Sequence, residues 1–186
     1  MSSHHIVKED QEPALIIVDT EGVTRPQLNQ LLEWNPIVVT HHENAQSVID
    51  KGIKVDVLIT DKQLDLPQDH VLILPIDGTF LDTALTYLVG RGCKAANIIS
   101  NDADVDVSLF RHIDIHVTVL GDGKRIFAVK SGFRKWKPQG EPVYVYTAVT
   151  HTLGLIRQGE NHYITAKDGF YAIHFAEQYG LVGECL

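Results

Sequence analysis

The sequence predicts an α/β protein: a Rossmann-like, mostly parallel sheet domain over residues 1–113, followed by a small antiparallel β-sandwich over residues 114–186. Two observations carry this. Short apolar runs alternate with segments of helical period through the first 113 residues, the pattern of a mostly parallel sheet covered by helices. Near His112 the apolar period drops from 3.6 to 2, and short alternating runs between Gly- and Pro-rich turns continue to the end.

Each element follows from its local chemistry. Ala14-Leu15-Ile16-Ile17-Val18 comes after Pro13 and is uninterrupted apolar sequence, as a strand buried on both faces requires. Pro26 to Trp34 has Leu28, Leu31 and Leu32 at helical spacing. Ile37 to Thr40 predicts the second strand, Ala45, Val48 and Ile49 the stripe of a second helix, and Gly52 its left-handed cap. Val55 to Thr60 and Val71 to Leu74 predict two more strands. Leu81, Ala84, Leu85, Leu88 and Val89 form the clearest amphipathic stripe, ended by Gly90 and Gly92. Ala96 to Ser100 is the next strand. In the second half Ile115, Val117 and Val119 alternate with polar residues, and Asp122-Gly123 is a two-residue hairpin turn before Ile126 to Val129. Val143 to Tyr146, Thr152 to Ile156, Tyr171 to Phe175 and Leu181 to Glu184 predict further short strands.

Composition narrows the function classes. With 44% hydrophobic residues the chain can build a real core, and its apolar runs are too short to span a bilayer as a helix. Met1 to Asp10 holds no apolar h-region of a secretory signal, and Cys93 and Cys185 are the only cysteines, so a cytoplasmic protein without a disulfide framework is expected. A net charge of −8 argues against nucleic acid as a partner. Lys124, Arg125, Lys130, Arg134, Lys135 and Lys137 are expected to form a solvated outer face.

The stretch Gly52-Ile53-Lys54-Val55-Asp56-Val57-Leu58-Ile59-Thr60-Asp61-Lys62-Gln63 is the most informative. It delivers Asp61 at the carboxyl end of a buried strand, the edge where open α/β sheets bind ligands. Asp77-Gly78-Thr79-Phe80-Leu81 then opens the amphipathic helix. Together with Lys124-Arg125-Ile126-Phe127, Lys135-Trp136-Lys137-Pro138 and Asp168-Gly169-Phe170, these segments resemble the thiamine pyrophosphokinase family. The resemblance implies an α/β domain joined to a β-sandwich, Mg²⁺ and ATP as cofactors, thiamine or a nucleotide as ligand, and a homodimer. It also implies that Asp61 and Asp77 hold the metal, because pyrophosphoryl transfer is mostly positioning and charge neutralisation. Thr79, Gln63, His42, His162 and Tyr163 are then expected around the ligand.

The departures from the family pattern are chemical. Thr60 stands for a Gly and Gln63 for the second Asp of Gly-Asp-x-Asp. Phe80 takes the place of a carboxylate before the helix, and His162-Tyr163 that of a Ser-Asn pair. Two functions therefore stay open. One is a diverged family member with lost or weakened pyrophosphotransfer. The other is a working enzyme whose metal shell is rebuilt from Asp61, Asp77 and neighbours such as Asp65 or Asp82. Asp82 is read first as a helix-capping acid.

Other groupings carry weaker expectations. His41 and His42 are adjacent, and on a strand they point to opposite faces, so both can bind one ion only if they lie in a loop; a ligand-edge or surface role without metal is expected. His112, Asp114 and His116 could share one strand face, though chance placement accounts for them. The acids of Asn101 to Asp106 are expected to form a solvated loop, since an EF-hand from Asp102 would need Gly at 107 and Glu at 113 where Val107 and Ile113 stand. No phosphate-loop or dinucleotide fingerprint is present.

Overall fold

The computed structural model describes residues 12–63, 66–101 and 114–186. Asp65, His112 and the acids from Asp102 to Asp106 lie outside the described residues.

Among the described residues six strands run parallel, five in the first half and one at the start of the second. β1 (Ala14–Ile17), β2 (Val38–His41), β3 (Val57–Ile59) and β4 (Leu72–Leu74) step outward in one direction, and β5 (Ala95–Ile99) lies on the other side of β1. Strand β6 (His116–Gly121) then adds parallel to β5, pairing Ala95 with His116 through Ile99 with Leu120. The parallel sheet therefore extends past the change of period near His112.

Among the described residues three helices cover this sheet: α1 (Arg25–Leu32), α2 (His42–Asp50) and α3 (Phe80–Gly90). Period-2 alternation in β1 sends Ala14 and Ile16 to one face and Leu15 and Ile17 to the other. The first face meets Ala84, Leu85 and Leu88 of α3, and the second meets Leu28 of α1 and Val48 of α2. This is why the β1 run is apolar at every position. Gly52 follows α2 at φ 74°, the left-handed conformation expected of it. Asp56 braces the entry to β3 by accepting the Val38 amide at 3.0 Å.

The second half continues the same sheet. β7 (Lys124–Lys130) pairs antiparallel with β6 across the Asp122-Gly123 turn, whose residues have φ 48° and 67°. Then come β14 (Tyr179–Cys185), β9 (Pro142–Val145), β12 (His162–Thr165) and β11 (Leu155–Arg157), giving eleven strands in one sheet. A separate antiparallel sheet of β10 (Val149–Leu153), β13 (Gly169–Phe175) and β8 (Phe133–Lys137) lies opposite. Val129, Val143, Val145, Tyr163 and Val182 from the large sheet pack on Tyr171, Ile173 and Phe175 from the small one. No helix follows α3 among the described residues.

Two expectations need correction. Thr152 to Ile156 is not one strand: Gly154 at φ 68° breaks it, and β10 and β11 belong to different sheets. Nor is the basic set a uniform solvated face. Arg125 and Lys135 reach a Glu184 carboxylate that is 1% exposed, at 2.7 and 2.5 Å, and Lys137 approaches it at 3.9 Å. Alternation along β7 and β8 puts those three cations on the sandwich side, where one buried acid collects them.

Candidate functional site at the carboxyl edge of the sheet

The strand order reverses beside β1, so the crevice of an open α/β sheet belongs outside the carboxyl ends of β1 and β5. Asp19 ties that place together. Its Oδ1 accepts the amides of Glu21 and Gly22 at 2.9 and 3.1 Å, and its Oδ2 accepts the Asn101 amide at 2.7 Å. Backbone packs closely here: a Cβ on Gly22 would lie 2.6 Å from the Ser100 carbonyl oxygen, and one on Gly121 closer still. The chemically distinctive side chains sit instead at the ends of β2, β3 and β4.

At β2 the strand runs into α2 without a connecting loop. His41 is the last strand residue, with φ −95° and ψ 155°, and His42 is already helical. The turn from extended to helical backbone cancels the alternation that separates neighbours on a strand, and the two rings come to 4.0 Å between centroids. Glu43 follows in the first helical turn, its carboxylate 3.8 Å from His41 Nδ1. One donor atom from each of His41, His42 and Glu43 lies within 4.8 Å of the others. Among the described residues, no other group of three His, Cys, Asp or Glu side chains gathers in this way. The expectation that His41 and His42 diverge is thus corrected, and His42 lies on a helix rather than in a loop. The signal that could have found the group is the apolar stripe of α2, which predicts helix immediately after His41.

Electrostatics favour a neutral ring at His41. Burial, and then the neighbouring His42, holds its pKa below the ordinary imidazole value; Glu43 pulls the other way and Lys62 adds to the depression. Phe80, which opens α3, lies 5.4 Å from the His41 ring. Hence the aromatic that stands where the family pattern has a carboxylate packs beside the histidine pair. Both ring nitrogens of His42 are buried without a hydrogen-bond partner.

The expected carboxylates are positioned by structural bonds. Asp61 follows β3 and its Oδ1 accepts the Ile76 amide at 2.9 Å. The Asp77 amide donates to Thr83 Oγ1, and the Asp77 carbonyl accepts that hydroxyl at 2.8 Å. Thr79 caps α3, accepting the Asp82 amide at 3.1 Å and donating to the Asp82 carboxylate at 2.7 Å. Neither Asp61 nor Asp77 belongs to the gathered group, and Gln63 is exposed after β3.

The sandwich residues separate by strand alternation. Tyr163 is 7% exposed and packs in the sandwich core, so its ring does not line an open surface. His162 faces the other way and stacks on Tyr144, with ring centroids 5.1 Å apart. A cavity of about 800 Å³ opens elsewhere, on the α1 face of the sheet, between Leu31 and Trp34 on one side and Phe133 and Lys135 on the other. It shares no residue with the His41 group.

Comparison with models of known protein families finds no match, and comparison with curated proteins finds none. Solved structures do match. The chain is similar to thiamin pyrophosphokinase from Geobacillus thermodenitrificans (TM-score 0.68, 10% identity, 93% of this chain and 96% of that one). It is similar to thiamin pyrophosphokinase from Candida albicans (TM-score 0.66, 10% identity, 96% and 90%) and to thiamine pyrophosphokinase from Bacillus subtilis (TM-score 0.60, 14% identity, 93% and 98%). The chain therefore has the thiamine pyrophosphokinase fold.

Proposed function

We propose that this protein is a diverged thiamine pyrophosphokinase-fold protein whose ATP:thiamine pyrophosphotransfer is lost or strongly weakened, and which keeps a small-molecule site at the carboxyl ends of β2, β3 and β4. The observation that carries the reading is the composition of that edge. Mg²⁺ demands oxygen donors in near-octahedral geometry and is held against phosphates by carboxylates. Here the one gathered donor group of the described residues is two imidazoles and a carboxylate, with the Phe80 ring beside it. Asp61 spends one oxygen on a backbone amide and stands outside the group. These residues do not fit a Mg²⁺–nucleotide shell. Tyr163, at the place of half of the family's Ser-Asn pair, is turned into the core, which speaks against thiamine as the ligand.

The second reading, an active enzyme making thiamine diphosphate from thiamine and ATP, is favoured by the position of Asp61 just after β3 and of Asp77 just before α3, at the carboxyl end of the sheet. Asp61 and Asp77, with Thr79 and Gln63 nearby in sequence, would then hold the metal and phosphates. A coupled assay for AMP release from ATP with thiamine and Mg²⁺ separates the two. Release at background rate is expected; turnover at ordinary enzyme rates, on the order of 1 s⁻¹ or above, would establish the second reading.

Assembly belongs to the same proposal. Phe170 pairs with Trp136 and Ala172 with Leu153, so these side chains share the outward face of the small sheet, and Phe170, Trp136 and Leu153 are all more than half exposed. This apolar face supports a homodimer. No helix among the described residues is long and apolar enough to cross a membrane; a cytoplasmic location is part of the proposal.

A further inference from the structure

We propose that His41, His42 and Glu43 form a binding site for a divalent transition metal of borderline softness, with Zn²⁺ as the type, in place of the hard Mg²⁺ that the fold implies. The inference needs only these three side chains and does not depend on whether pyrophosphotransfer survives.

Donor chemistry is the first argument. Imidazole nitrogen suits zinc, cobalt, nickel and copper, whereas carboxylate and water suit magnesium. Two histidines with one acid and an open position is a set that zinc accepts. The geometry is close to closure. Donors about 2.1 Å from a tetrahedral ion are roughly 3.4 Å apart, and the three atoms already lie within 4.8 Å of one another. Glu43 Oε2 is already 3.8 Å from His41 Nδ1, and its 72% exposed side chain has room to turn toward an ion, while His41 at 18% is more enclosed.

The orphaned ring of His42 is the second and independent argument. A buried polar atom without a partner costs about 1–3 kcal/mol, and native structures rarely leave one unexplained. Both nitrogens of His42 are in this state. A metal bond satisfies one of them directly and gives the ring a reason to be held against His41 rather than turned to solvent. The backbone supplies the rigidity, since the β2–α2 junction fixes both Cα positions with no loop between them.

Cobalt titration followed by visible absorption tests the site on the whole protein, with no ATP or thiamine present, so its result is independent of the AMP assay. The expected result is one equivalent of Co²⁺ with the intense bands of a four-coordinate nitrogen–oxygen site, displaced by one equivalent of Zn²⁺ and not by excess Mg²⁺. His41→Gln and His42→Gln should each raise the Kd for Co²⁺ by more than ~100-fold, since even outer-shell partners are worth roughly 10–100-fold. Glu43→Gln should weaken it less. Replacing His4 and His5, or the exposed pair His151 and His174, should leave it unchanged. Bands that survive His42→Gln, that vanish with His4 and His5, or that yield to Mg²⁺ overturn the proposal. Should His42→Gln fail to fold, ring-nitrogen NMR of the native protein decides. His41 and His42 signals that shift on Zn²⁺ addition support the site, and unmoved signals overturn it.

Discussion

Glu184 shows how one side chain fixes the chemistry of its surroundings. Its carboxylate is 1% exposed yet receives Arg125 through Nη2 at 2.7 Å, Lys135 at 2.5 Å and the Tyr171 hydroxyl at 3.3 Å. Burial alone would raise its pKa. The hydrogen bonds from Lys135 and Arg125, with the charge of Lys137, outweigh burial and hold it below the ordinary carboxylate value. Burial, then the same carboxylate, pushes the Tyr171 phenol up. Removing one partner of a buried ion pair costs more than the pair is worth, because the other charges stay behind. Glu184→Gln is therefore expected to lower stability by about 2–3 kcal/mol, the low side of the usual range because Arg125 and Lys135 still reach water. Denaturant unfolding at neutral pH measures it. The depressed pKa sets the sign with acid. The carboxylate's contribution is complete above its unfolded value of 4.5 and is lost as pH falls through the lower folded value. Between pH 6 and pH 3 the native protein should thus lose more stability than the Gln variant. Equal losses would mean that the network contributes nothing.

Elements inherit their limits from single residues of this kind, and Gly154 is the sharpest case. It sits at φ 68° between β10 in the small sheet and β11 in the large one, and a Cβ there would lie 2.9 Å from the Phe170 carbonyl oxygen. The chain changes sheets at a point where backbone passes close to backbone. Gly154→Ala combines left-handed strain with that contact and is expected to cost about 2–3 kcal/mol. A thermal or denaturant midpoint unchanged within error would show that the corner relaxes freely. The same residue explains a limit of the sequence. Thr152 to Ile156 reads as one strand because period-2 patterning has no term for a positive φ. β1 was legible because burial on both faces leaves an unbroken apolar run, whereas β6 alternates like an antiparallel strand and yet pairs parallel with β5. Asp61 at the carboxyl edge was legible from Gly52 to Gln63, but the histidine group was not. Alternation predicts that His41 and His42 diverge, and only knowledge that α2 starts at His42 reverses it. Strand β12 stayed unassigned for a related reason: its four residues show too short an alternation to stand out between turns.

At the scale of the molecule the open question is how the small sheet is covered. One sheet runs from the edge strand β4 to the edge strand β11, and the small sheet buries one face against its antiparallel wing. The other face keeps Trp136 53%, Phe170 59% and Leu153 55% exposed, with the Arg134 guanidinium over the Phe170 ring at 4.6 Å. Three large apolar side chains on adjacent strands of one face form a patch, and contiguous patches mark interaction sites where scattered apolar residues do not. Aromatic residues and arginine are also the types that dominate interface energetics. A two-fold contact through this face is isologous, so each aromatic counts twice, and a stable dimer would bury well over about 1,200 Å² in total. Sedimentation velocity at micromolar concentration is expected to show a dimer for the native chain. The double substitution Trp136→Ser with Phe170→Ser should give a monomer with unchanged circular dichroism, since both side chains point away from the sandwich core. A native monomer would refute dimerisation. A dimer that survives the double substitution would move the contact to another surface, where the edge strand β4, with Leu72 and Ile73 exposed, is the next to test.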